Sequence, residues 1–165
     1  MIKLTTQQLA QIFNASLIGD GQVVVENINT DTRKALSNSL FFALKGEHFD
    51  AHQYLDKAVE QGATALVVQY PNTEIATPQL VVADTRLALG QLAKWLREKI
   101  NPRTVAMTGS SGKTTVKEMT ASILQQTSGN PEAVLFTNGN FNNDICVPLT
   151  LLRLTEQHKF AVIEL

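Results

Sequence analysis

Thr108-Gly109-Ser110-Ser111-Gly112-Lys113-Thr114-Thr115 decides how this chain is read. It stands between a short apolar run, Thr104-Val105-Ala106-Met107, and a stretch of helical spacing that starts near Lys113. Strand, Gly-rich turn and helix, in that order, are the context of a phosphate-binding loop. Glycines let backbone N–H groups turn inward toward an anion. The helix N-terminus adds its partial positive charge. Lys113 is placed to reach β- and γ-phosphates, and the Thr114 hydroxyl to ligate Mg²⁺. The long pattern G-x-x-x-x-G-K-[ST] fails, because Met107 stands where its first Gly belongs. The shorter G-x-x-G-K-[ST] is met by Gly109, Gly112, Lys113 and Thr114. With Gly near 7% of average composition, a chance match in such a length is on the order of 1%. The competing reading is a helix capped by Ser110 or Ser111.

Downstream, Val134-Leu135-Phe136 and Phe160-Ala161-Val162-Ile163 read as further strands. Pro148 suits the first turn of a short helix bearing Leu149, Leu151 and Leu152. Alternating strands and helices imply a parallel α/β sheet. Thr104–Met107 is expected to be buried, and the last strand to have an unprotected edge. Ligands of such sheets gather at the carboxyl ends of the strands. The loop Thr137-Asn138-Gly139-Asn140-Phe141-Asn142-Asn143-Asp144 and the residue Glu164 both fall there, beside the Gly-rich turn. An acidic residue after an apolar strand can hold Mg²⁺ directly or through water. Taken singly, Glu164 reads as a solvated strand end and the Asn residues as turn formers.

Upstream, Thr5 and Gln8 have capping-box spacing, and Leu4 and Leu9 the spacing of a hydrophobic staple. They predict a first helix carrying Ile12 and Phe13. Val23-Val24-Val25 with Ile28 reads as one strand after the Gly19-Asp20-Gly21 turn. Leu40-Phe41-Phe42-Ala43-Leu44 is a buried strand, and Asp50 can cap a helix that runs to about Gly62. Ala65–Val68 and Leu80–Ala83 read as strands. From Asp84 a long helix follows, with Leu87, Leu92, Leu96 and Ile100 on adjoining faces, ended by Pro102.

The chain has 165 residues, enough for one domain or two small ones. Apolar residues make up 44% and charged residues 18%, a globular composition that excludes whole-chain disorder. The net charge of −1 gives no basic excess for nucleic acid. Its distribution sets a soft boundary near residue 83. Residues 1–83 hold 5 basic and 8 acidic side chains, residues 84–165 hold 9 and 7, and the positive half carries the phosphate motif. One cysteine, Cys146, excludes a disulfide scaffold and favours the cytoplasm. No apolar h-region follows Lys3, and no run approaches the ~20 residues of a membrane span.

At these residues the chain resembles the Mur ligase family. The turn Thr108–Thr115 looks like the family's ATP loop. Gly139-Asn140-Phe141-Asn142-Asn143-Asp144-Ile145, then Val147-Pro148-Leu149-Thr150-Leu151-Leu152 and Ala161-Val162-Ile163-Glu164-Leu165, are similar to the branch that joins D-alanyl-D-alanine to a UDP-muramoyl-tripeptide. Thr30-Asp31-Thr32-Arg33 and Ala43-Leu44-Lys45-Gly46-Glu47-His48-Phe49-Asp50-Ala51-His52 resemble its uridine-nucleotide domain. Cys146 departs from the Gly usual before Val-Pro.

The resemblance implies an α/β chain in two parts. Residues 1–83 would be a small UDP-substrate domain, and 84–165 the first part of a P-loop-type, parallel-sheet ATPase domain. It implies ATP and Mg²⁺ as cofactors, with Gly109, Ser110, Ser111, Gly112, Lys113, Thr114 and Thr115 on ATP, Lys113 as the catalytic residue that stabilises charge on the transferred phosphoryl group, and Thr114 and Glu164 on the metal. Asp31, Thr32, Arg33, Lys45, Gly46, Asn138, Asn140, Asn142 and Asn143 would face the UDP-muramoyl-peptide; for Arg33 and Lys45 the alternative is a solvated surface cation. His52 is expected to be an ordinary first-turn helix residue. A cytoplasmic monomer is expected, with no nucleic-acid partner and no membrane insertion. Because family members continue well past 165 residues, the chain is expected to be part of a longer ligase and inactive alone. Two other readings stay open: a stand-alone nucleotide-binding module, and another ligase of the Mur or folate-polyglutamating kind.

Overall fold

The computed structural model describes residues 3–34 and 36–165. Met1 and Ile2, which open the stretch read for targeting, lie outside them. The chain divides into two compact units, Met1–Gln91 and Leu92–Leu165.

The first unit begins with β1 (Leu4–Thr5) and α1 (Thr6–Phe13). The capping box forms: the Thr5 hydroxyl accepts from the Gln8 N–H, and the Gln8 side chain accepts from the Thr5 N–H. Asn14 closes the helix in the left-handed region. Then come β2 (Ser16–Ile18), β3 (Val24–Val25), β4 (Asn27–Asn29) and β5 (Ser39–Phe42). The single strand expected over Val23–Ile28 is two. Val24–Val25 pairs antiparallel with β1, and Asn27–Asn29 pairs parallel with β5, so the chain changes sheets at Glu26. A 3-10 turn, Ala51–Tyr54, precedes α2 (Leu55–Glu60); Asp50 caps the turn rather than one continuous helix. β6 (Ala63–Val68) and β7 (Gln79–Val81) complete a five-stranded sheet in the order β2-β7-β6-β5-β4. It is parallel except for β2.

All four residues of β5 are buried, the pattern of a strand covered on both faces. Phe41 joins Leu55, Ala58 and Leu66 in one core cluster. Phe42 points the other way and meets Phe13 of α1 edge-on, with centroids 5.9 Å apart.

α3 (Thr85–Ile100) carries the division between the units. Asp84 accepts from the N–H groups of Arg86 and Leu87 at its start. Its buried stripe is Ala88, Leu89, Leu92, Ala93 and Leu96. Leu87, expected on that stripe, is 67% exposed: the buried face starts at Ala88 and repeats at three and four residues, which leaves 87 outside it.

The second unit holds β8 (Arg103–Met107), α4 (Lys113–Ser128), a 3-10 turn (Pro131–Ala133), β9 (Val134–Phe136), α5 (Cys146–Leu151) and β10 (Phe160–Glu164). Its sheet is parallel, in the order β8-β10-β9. Two expectations are corrected here. The last strand lies in the middle, and Ala161–Glu164 is buried throughout. β8 is an edge strand, with Val105 and Ala106 exposed. Ala121 of α4 packs with Val134 of β9 and Val162 of β10, so α4 rests on those two strands. The more apolar strand takes the doubly paired position, where all its side chains but the half-buried Phe160 are covered.

Candidate functional site

The Gly-rich turn lies between β8 and α4. Gly112 is the N-cap of α4 at φ +75, a left-handed conformation that glycine adopts without strain. No side chain caps this helix, so neither Ser110 nor Ser111 takes the capping role. The first N–H groups of this 16-residue helix are therefore left without a side-chain cap. Thr108 through Gly112 are exposed, and the Lys113 ammonium folds back onto the Gly109 carbonyl.

Glu164 ends β10 and is 2% exposed. Its carboxylate accepts from the Thr114 hydroxyl at 3.1 and 3.3 Å and from the Asn142 amide at 3.2 Å. The Lys117 ammonium lies 3.5 Å from it. Thr137, buried at the end of β9, accepts from the Glu164 N–H at 3.0 Å and fixes where that strand ends. So Thr114, Asn142 and Glu164 meet at one spot, beside Lys113.

The other loop residues are placed differently. Asn138 and Asn140 are exposed. Asn143 accepts from the N–H groups of Ile145 and Cys146 and so starts α5, whose first residue, Cys146, is half-buried. Among the described residues no three His, Cys, Asp or Glu side chains cluster as a metal site. One carboxylate and one hydroxyl are hard oxygen donors, which leave the other positions of an octahedral ion to phosphates and water. Mg²⁺ is commonly held that way, and the residues fit it.

The sequence reading missed Lys117. It is completely buried, donates to the Gly139 carbonyl, and faces both Glu118 and Glu164. The signal was available: Lys117 stands four residues before Ala121 on the stripe that buries α4, where a cation is out of place.

In the first unit, a cavity of about 550 Å³ is lined by residues 30–33, Phe49, Tyr54 and Lys57, among others. Asp31, Thr32 and Arg33 are thus brought together. Arg33 grips Asp31 with two nitrogens, at 2.9 and 2.7 Å, and this guanidinium holds the Asp31 carboxyl well below the usual range. Phe49 and Tyr54 stack with centroids 5.6 Å apart. Sequence reading missed both rings and Lys57. Their one signal was the spacing of Phe49, Tyr54 and Lys57 around the Asp50 cap.

Lys45 and Gly46 lie with a different group. The Gly46 N–H donates to the Phe49 carbonyl, and Lys45 stands 3.9 Å from Asp50 and over the Tyr70 ring. His52 is more than a first-turn residue. Its Nε2 accepts from the Gln69 N–H, so Nδ1 carries the proton and donates to Asp50 at 2.6 Å. Tyr70 also donates to Asp50. Burial alone would raise the Asp50 pKa, but the Tyr70 hydroxyl and the His52 backbone and ring hold it down to about 2. The unfolded value is near 3.9. A carboxyl with a depressed folded pKa adds stability above its unfolded pKa and loses it as pH falls toward the folded one. Urea midpoints of wild type and Asp50→Asn are therefore expected to converge between about pH 4 and pH 2. A constant gap across that window would show that Asp50 does not act through its charge.

The Mur ligase family catalytic-domain pattern matches residues 24–97, and the Mur ligase middle-domain pattern matches residues 107–165. The chain is 81% identical over 165 residues to the UDP-N-acetylmuramoyl-tripeptide–D-alanyl-D-alanine ligase of Haemophilus influenzae, covering all of this chain and 36% of that protein. A crystal structure of MurF from Acinetobacter baumannii superposes with a TM-score of 0.92 at 44% identity, over all of this chain and 36% of the other. The MurF ligase of Thermotoga maritima in complex with ADP gives 0.75 at 27% identity, over 85% of this chain and 32% of that one. The chain thus spans about a third of the length of these relatives. With two patterns of one family covering both units, and these relatives matching along its length, the chain belongs to the Mur ligase family.

Proposed function

We propose that the chain supplies the uridine-nucleotide site and the ATP-phosphate site of a ligase that joins D-alanyl-D-alanine to UDP-N-acetylmuramoyl-tripeptide. Residues 1–83 would serve the UDP-substrate and 84–165 the ATP. The carrying observation is the meeting of Thr114, Asn142 and Glu164 beside Lys113, in a chain 81% identical to a ligase of that name. The ADP complex of a relative supports ATP as the nucleotide.

Phosphoryl transfer asks for positioning and charge neutralisation more than for covalent help. The α4 N-terminus and Gly109–Thr115 would cradle the phosphates, and Lys113 would neutralise charge on the transferred group. The tripeptide's terminal carboxylate oxygen bonds to the γ-phosphorus as the bond to the β-phosphate oxygen breaks and ADP leaves. The amine of the dipeptide then attacks the acyl carbon, loses a proton, and phosphate departs. Thr114 and Glu164 would hold Mg²⁺, which when bound offsets phosphate charge. Asn138 and Asn140, exposed beside this spot, are open to the muramoyl peptide. In the first unit, the Phe49–Tyr54 stack offers a planar base a surface, and Arg33 and Lys57 offer a diphosphate two cations. A cytoplasmic monomer belongs to the same proposal. Among the described residues no helix is long and apolar enough to cross a membrane.

The test uses the intact protein with ATP, Mg²⁺, the UDP-tripeptide and D-alanyl-D-alanine. ADP release is expected to require both substrates, and the product to gain the mass of the dipeptide. ADP release that ignores the dipeptide, or equal use of single amino acids, overturns the assignment. Lys57→Ala is expected to weaken UDP-tripeptide binding about tenfold, the loss of one charge-assisted contact. Calorimetry showing unchanged affinity would remove Lys57 from the site.

A further inference from the structure

Lys117 has no part in the chemistry above, yet among the described residues it is the one buried Lys or Arg. Its ammonium donates to the Gly139 carbonyl and has two anionic neighbours: Glu118 at 3.1 Å and Glu164 at 3.5 Å. Glu118 is half in water, where its charge is screened. Glu164 is enclosed, so its attraction to Lys117 acts across little solvent. A divalent ion that takes Glu164 must settle within a few ångströms of this fixed positive charge. Alone, it meets a carboxylate already balanced. Arriving with a polyphosphate, it brings several negative charges that outweigh one ammonium.

We infer that Lys117 is the resident counter-cation of Glu164, a positioning residue that makes metal binding conditional on nucleotide. This rests on the reading of Thr114 and Glu164 as the magnesium-holding pair. A purely structural Lys117, tying α4 to the loop at Gly139, predicts the opposite sign. Its removal would then loosen the site and weaken metal binding. The counter-cation role predicts that removing the charge strengthens it.

The experiment is Mn²⁺ titration of the intact protein with and without ADP, read as manganese retained with the protein on ultrafiltration, so that Mn²⁺ held by free ADP does not count. Wild type is expected to bind Mn²⁺ weakly alone and at least tenfold more tightly with ADP. Lys117→Gln keeps a donor near Gly139 and drops the charge. It is expected to bind Mn²⁺ at least tenfold more tightly than wild type without nucleotide. Adding Glu164→Gln should abolish that gain, which locates it at Glu164 rather than Glu118. An unchanged or weaker nucleotide-free affinity in Lys117→Gln overturns the counter-cation role while the metal reading stands. ADP-dependent Mn²⁺ binding at full strength in Glu164→Gln overturns the metal reading itself, and the inference with it. Should Lys117→Gln fail to fold, Lys117→Met is the second variant. Wild type alone also decides: nucleotide-free Mn²⁺ binding as tight as binding with ADP sinks the inference.

Discussion

Lys113→Ala is expected to lower ATP-dependent ligation by the intact protein about a thousandfold while leaving the fold in place. Single preorganised donors aimed at developing charge carry about a hundred- to a thousandfold each. Lys113 would neutralise the group being transferred, so its loss falls at the upper end of that range. The fold has little to lose. The side chain's recorded bond goes to the Gly109 carbonyl in an exposed turn, and α4 is held through Ala121 against Val134 and Val162. Circular dichroism and thermal midpoint should match wild type. Ligation within tenfold of wild type would mean that the turn does not hold the reacting phosphate.

Phe42→Ala carries the largest effect on stability. Phe42 is fully buried, and deleting such a ring costs about 3–5 kcal/mol through lost transfer energy and the cavity left behind. The edge-on pair with Phe13 goes with it. In a unit of this size, that corresponds to a fall in midpoint of at least about 12 °C. Leu87→Ala is the control: an exposed leucine should cost no more than about 0.5 kcal/mol. Equal losses from the two variants would contradict the packing described around β5.

Local signals were the legible ones. The Thr5–Gln8 box, the Asp50 cap and the Gly-rich turn each depend on residues a few positions apart, and each appears where the spacing puts it. The shared edge of the turn, the Asn loop and Glu164 followed from parallel topology alone, and Asn142 and Thr114 do reach Glu164. What spacing could not supply was pairing. Val24 and Ile28 look like one strand until β1 and β5 claim them separately. The exposure of Val105 and the enclosure of Val162 depend on which strand lies between its neighbours, a choice made by pairings of Val162 with Phe136 and with Val105, 26 and 57 positions away. Lys117 escaped because a lysine on paper is a surface residue, and its acidic partner Glu164 is 47 positions away.

The middle place of β10 also sets a timetable for synthesis. β8 and β9 have β10 as their partner, and it is made last of the three. While residues 108–159 are being added β8 has no parallel neighbour, and once Phe136 is made β9 has none either. At ~5–20 residues per second that interval lasts several seconds, with unpaired backbone and the apolar side chains of β9 uncovered. Just before Phe160 emerges the nascent chain carries two strands without their partner, a state open to aggregation and to chaperone capture. A ribosome stalled in that window would hold the ATP-loop turn with no Glu164 carboxylate beside it, since Glu164 arrives with the strand that pairs with both earlier ones.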